Sequence, residues 1–114
     1  MNEFRYNLPY QELVGGALAI SKEQFLQVNG FSNNFFGWGG EDDDFYQRLA
    51  THHIHLLRLP PHQSLYTSLK HQKQSPSSRN IPPIIPADDG LNTLEYDLLN
   101  IKHLPMFTML RVRI

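Results

Sequence analysis

Four consecutive carboxylates, Glu41, Asp42, Asp43 and Asp44, follow directly on an aromatic, glycine-hinged stretch, Phe35-Phe36-Gly37-Trp38-Gly39-Gly40. Like charges packed this closely repel one another, so the run concentrates acceptors and a candidate general base at one point at a cost in local stability. The residues upstream indicate what kind of ligand would meet them. Trp38 offers a flat apolar face of the sort that stacks on a sugar ring, and Gly37, Gly39 and Gly40 let the backbone approach a ligand closely or swing. Acids in a first turn also complement the helix dipole, and Phe45 and Leu49 continue at helical spacing, so the run starts a helix as well. One or two acids suffice for that purpose, which leaves a second use for the rest. A calcium loop fits poorly, because its ligands alternate around a glycine turn and these are contiguous.

Other elements must hold this run in place. The apolar, small-residue stretch 13–20 reads as a buried strand, and Ser21 with Gln24 three residues on is a capping box for a short helix that Asn29-Gly30 ends. Residues 31–40 read as an irregular loop and 41–50 as the acidic helix. Strands are expected over 54–59, stopped by Pro60-Pro61, and over 65–69 leading to His71. The Ser-, Pro-, Gln- and Asn-rich stretch 72–89 reads as a long loop, and 94–101 and 106–114, split by Pro105, as strands of one sheet. The expected class is α/β, a mixed sheet with short helices.

The 114 residues amount to one domain at most, or a piece of one. A formal charge of -1 with scattered basic residues speaks against nucleic acid as a partner. Lys70, His71, Lys73 and Arg79 form a modest basic cluster, better suited to one anionic ligand than to a phosphate backbone. With no cysteine, disulfides and zinc-thiolate sites are excluded, and no apolar run is long enough for a bilayer span. His52, His53 and His55 look like a metal cluster, but at a turn after the helix a solvent-facing explanation is the better one.

Taken in order, Gly15-Gly16-Ala17-Leu18-Ala19-Ile20-Ser21-Lys22, Asn29-Gly30-Phe31-Ser32-Asn33-Asn34, the run from Phe36 to Asp44 and Asp89-Gly90-Leu91-Asn92 resemble the β-1,4-galactosyltransferase family. The blocks cover nearly the whole chain and correspond to the C-terminal half of that family's catalytic domain. The resemblance implies an inverting, metal-dependent glycosyltransferase of the GT-A type that moves a hexose from a UDP-sugar to an acceptor hydroxyl. By the family pattern Asp42 is the catalytic base, Glu41 and Asp43 hold donor and acceptor hydroxyls, and Trp38 with Gly39 and Gly40 closes over the donor. At a helix start Glu41, Asp42 and Asp43 point about 100° apart in turn, so neighbours reach different ligands. A single displacement needs one carboxylate to take the proton of the attacking hydroxyl and a metal to hold the departing diphosphate.

His71 occupies the place of the family's manganese ligand, and Ser68 stands where the family has a methionine ligand three residues earlier. The resemblance thus implies Mn²⁺ with an altered ligand set. The Asp-x-Asp motif of the family's N-terminal, nucleotide-binding half does not occur in this chain. Tyr10 and Leu13, just before Gly15-Gly16, occupy the family's two donor-site aromatic positions, and leucine at the second opens room for an acetamido group. UDP-N-acetylgalactosamine therefore stands beside UDP-galactose as an expected donor. Terminal N-acetylglucosamine is the default acceptor, with Ile81, Ile84 or Ile85 as replacements for the family's acceptor pocket wall. The resemblance also implies a Golgi membrane protein anchored by an upstream segment. The competing reading is a non-catalytic carbohydrate- or cation-binding remnant of such an enzyme.

Overall fold

The structure, a computed structural model, describes residues 7–67, 69–72, 75 and 88–114. Ser21 starts the first helix, α1 (Lys22–Gln27), through the expected capping box: its hydroxyl accepts from the Gln24 amide at 3.2 Å, and the Gln24 side chain accepts from the Ser21 amide. The helix ends as Asn29-Gly30 predicts. Asn29 (φ 61°) and Gly30 (φ 65°) are both left-handed, and the Gly30 amide reaches back to the Phe25 carbonyl at 2.9 Å.

The second helix, α2 (Glu41–Thr51), matches the expected 41–50 to within one residue. Its four first-turn acids sit at the positive end of the dipole, and it buries Phe45 and Leu49, four residues apart on one face. Phe45 is fully buried. It stacks on Phe31 with ring centroids 4.2 Å apart and lies 5.9 Å from Phe25, so α1, the following loop and α2 share one aromatic cluster. Val28 and Leu49 complete the core, with Ile20, Phe25, Ile54 and Leu56 packed against it. His53 takes a left-handed conformation (φ 57°), and the Ile54 amide closes the helix on the Leu49 carbonyl at 2.9 Å. His52, His53 and His55 all face solvent, as the turn position suggested.

Three of the expected strands differ. Residues 13–20 and 54–59 form no strand among the described residues. In 13–20 the pleat is interrupted at Gly16, whose φ of 109° lies far from the β region. In 54–59 the alternation is present, with Ile54 and Leu56 turned to the core and Leu57 92% exposed, but it has no ladder partner among the described residues. Residues 65–69 form no described strand either, and Ser68 lies outside the described residues.

The two C-terminal strands are present. β1 (Asp97–His103) and β2 (Thr108–Arg113) form an antiparallel ribbon, Asp97 opposite Arg113 and His103 opposite Thr108, with one extra residue on β1 between Leu98 and Asn100. Pro105 falls in the turn, which the Leu104 amide closes on the Phe107 carbonyl at 2.9 Å. The described sheet is thus an antiparallel pair where a mixed sheet was expected, consistent with an α/β fragment. No helix among the described residues is long and apolar enough to cross a membrane.

Candidate functional site

The four carboxylates reach four different settings, as their angular spread at a helix start requires. Glu41 is exposed to solvent. Asp42 is half-buried and lies against Gly15, so closely that a β-carbon on Gly15 would overlap the carboxylate oxygen. Asp43 accepts a hydrogen bond from the Tyr10 hydroxyl at 2.9 Å. Asp44 turns back along the helix to Arg48, its carboxylate 2.8 Å from the guanidinium Nε.

The loop that faces these carboxylates comes from 33 residues upstream. Tyr10 gives it a first anchor. The hydrogen bond to Asp43, then partial burial, then the negative charges of Asp43, Asp42 and Glu12 push its phenol up to about 12, so it stays a donor across the physiological range. Arg58 gives a second anchor, donating to the carbonyls of Gln11 at 2.8 Å and Leu13 at 2.6 Å. Buried Val14 follows, and then Gly15 brings the backbone onto Asp42. Leu13 itself is half-buried.

On the other side of the helix start, Gly37, Gly39 and Gly40 all have positive φ (86°, 105° and 93°). Such backbone suits glycine, and it holds Trp38 out with 64% of its surface exposed. Gly16 and Gly39 border open space. The structure therefore brings Tyr10, Leu13, Gly15, Asp42 and Asp43 together, with Glu41, Gly40, Gly39 and Trp38 at the rim.

His71 is exposed. Its Nδ1 meets the Leu69 carbonyl at 3.0 Å, a contact in which Nδ1 is the donor and which leaves Nε2 of the neutral imidazole free to ligate. That is how a ligating imidazole is commonly held. Among the described residues no three His, Asp or Glu side chains gather to hold a metal ion. His71 fits a metal as one ligand of a set, and the described residues do not complete that set. Ser68, Lys73, Arg79, Ile81, Ile84 and Ile85, singled out in the sequence, lie outside the described residues.

A polar clamp beneath the site escaped sequence reasoning. Asp89, 6% exposed, accepts from the Ser32 hydroxyl, from the Asn33 amide at 3.0 Å and from Arg48 Nη2 at 3.4 Å. Arg48 Nη1 also donates to the Asp89 carbonyl at 2.7 Å and to the Gly30 carbonyl at 3.3 Å. Burial alone would raise the Asp89 carboxyl, but the bonds from Ser32, Asn33 and Asn34 and the Arg48 charge outweigh it and hold the group below its ordinary value. Around it, Asn29 binds Asn92 and the Leu91 amide, and Asn33 binds the Gly90 carbonyl at 2.8 Å. Gly90 (φ 155°) passes so near the Asn29 carbonyl that a side chain there would collide with it. The Asn29–Asn34 and Asp89–Asn92 blocks are thus two halves of one clamp, joined through Arg48 to the acidic helix. The one local signal was Arg48 four residues after Asp44.

Short helices, an antiparallel ribbon and a tyrosine loop set against an acidic helix start define an α/β unit with a carboxylate-centred site. Residues 1–72 match the family model described as the N-terminal domain of galactosyltransferase. The chain is 37% identical, over 97% of its length, to "Beta-1,4-galactosyltransferase 4" of Cricetulus griseus. Over its whole length it is 38% and 36% identical to "Beta-1,4-galactosyltransferase 1" of Bos taurus and of Homo sapiens. The chain belongs to the β-1,4-galactosyltransferase family. It spans 35%, 30% and 31% of the length of these three relatives.

Proposed function

We propose that this chain forms the acceptor-activating part of an inverting, GT-A type glycosyltransferase, which moves galactose or N-acetylgalactosamine from a UDP-sugar to a terminal N-acetylglucosamine. The observation that supports it best is the setting of Asp42, a half-buried carboxylate at a helix start, lying against Gly15 and next to the Tyr10–Asp43 pair. Of the four acids it combines partial shelter with no ion pair to a cation among the described residues, whereas Asp44 is paired with Arg48. A base so placed takes the proton of the acceptor hydroxyl while Asp43 and Glu41 bind neighbouring hydroxyls, and Trp38 covers a sugar face.

Bound Mn²⁺ would neutralise the leaving diphosphate, with His71 as one ligand and the others from outside the described residues. The family model's description speaks of an N-terminal domain. We place the chain in the C-terminal half of the catalytic domain, because its motifs are those that follow the family's Asp-x-Asp. A lumenal Golgi location follows from the same family reading.

The test is calorimetry of the 114-residue chain with UDP and Mn²⁺, beside a transfer assay on a longer product carrying an upstream Asp-x-Asp. Weak binding and no transfer by the chain alone, with transfer by the longer product, is the expected result. Tight binding or robust transfer by the chain alone would mean a complete minimal enzyme. No transfer by the longer product would favour the binding remnant.

Donor choice is tested at Leu13. Replacing it with tyrosine in the active product should shift preference from UDP-N-acetylgalactosamine towards UDP-galactose by roughly 1 to 3 kcal/mol, the range that one pocket side chain commands. Two-donor competition on a β-N-acetylglucosaminide measures it. Strong galactose preference in the unmodified protein, unchanged by Leu13→Tyr, would reduce Leu13 to wall packing.

A further inference from the structure

We propose that Arg58 is a positioning residue that sets the loop of residues 10–13 against the carboxylates of α2, and through it the donor side of the transfer site; the second half of this statement rests on the function proposed above. One guanidinium nitrogen, Nη2, donates to two main-chain carbonyls, Gln11 at 2.8 Å and Leu13 at 2.6 Å, across 47 and 45 residues of chain. Main-chain acceptors fix the path of the loop whatever its side chains are. That path determines where the side chains go: Tyr10 reaches Asp43, and Gly15 lies on Asp42. The Leu13 amide, 3.4 Å from the Tyr10 carbonyl, closes the turn between the two anchors.

Arg58 is itself referenced to the acidic helix. It lies two residues after Leu56, which with Ile54 packs on the core that Phe45 and Leu49 of α2 form. Loop and helix are therefore held to the same core, the loop through Arg58 and the carboxylates through α2. The seam between them opens into a groove of about 750 Å³ whose walls include Gln11, Glu12, Tyr46 and Arg58.

The test uses the 114-residue chain with tyrosine labelled at the ring carbon bearing the hydroxyl, titrated by NMR, and Tyr10→Phe to identify the Tyr10 signal. In the unmodified chain Tyr10 is expected to titrate near 12, the consequence of its bond to Asp43. With Arg58→Ala the loop is released, and the Tyr10 midpoint should fall towards the ordinary tyrosine value of about 10, with the hairpin and α2 signals unchanged. Should Arg58→Ala not fold, Arg58→Met, which keeps the apolar stem and removes every donor, carries the same measurement and the same expected fall. A Tyr10 midpoint unchanged in whichever variant folds overturns the clamp. In a longer, active product, Arg58→Ala should raise the donor KM on the order of tenfold with kcat changed less. A Tyr10 shift with unchanged donor KM keeps the clamp and overturns its role in donor placement.

Discussion

Asp42→Asn, in an active product containing this segment, is expected to lower turnover by roughly two to four decades, the usual contribution of a general base. The substitution is chosen for its shape. An amide occupies nearly the same volume against Gly15, so the geometry of the helix start and of the Tyr10–Asp43 bond should survive while the basicity is lost. The loss should therefore fall on kcat, with the donor KM little changed. The control is two residues away. Asp44→Asn is the same chemical change in the same acidic run, but Asp44 faces Arg48 and not the loop, so the folded protein should keep its turnover and lose stability instead. Steady-state kinetics on both variants decides the matter; near-normal turnover in Asp42→Asn, or an equal loss in Asp44→Asn, would overturn the assignment of the base.

The acidic run could be singled out before its surroundings were known because its signal is local, whereas the choice of Asp42 within it came from the family resemblance. Four acids after Gly-Trp-Gly-Gly, the Ser21–Gln24 box, the Asn29-Gly30 stop and the two apolar-rich strands split by Pro105 all operate within a few residues, and all have the expected form. What the sequence did not show depends on distant partners. Residues 54–59 have the period of a strand, but a strand is defined by its neighbour, and none lies beside it among the described residues. Asp89 reads as part of a turn before Gly90, yet it is the buried acceptor of a clamp closed with residues more than 40 positions away. Arg58 carries no local mark, because its acceptors are carbonyls and every residue has one. Asp44 is the instructive case: it stands in the acidic run by sequence, where no site role was read for it, and belongs to the clamp by geometry.

That clamp makes Arg48 the residue whose loss should cost most in stability. Arg48→Ala removes the only described cation facing the buried Asp89 carboxylate, strands the Asp89 and Gly30 carbonyls and unpairs Asp44. Removing one partner of a buried pair typically costs about 3 to 5 kcal/mol, because the remaining charge stays buried. Against the roughly 5 to 15 kcal/mol that a domain has in total, the variant would be close to unfolding. The pH dependence has a definite sign. In the unmodified chain Asp89 is held below its ordinary value, so its contribution to stability is present above the ordinary carboxylate range and is lost as pH falls through the folded value. Without the Arg48 charge, burial is opposed only by the hydrogen bonds around Ser32 and Asn33, and much of that contribution disappears. The gap between the two proteins should accordingly be widest near neutral pH and narrow on acidification. Urea unfolding of both chains, near neutrality and again below the ordinary carboxylate range, measures it. A gap that is small near neutrality, or that widens in acid, would show that Arg48 does not stabilise the ionised Asp89 and that the two blocks are held together by their neutral hydrogen bonds alone.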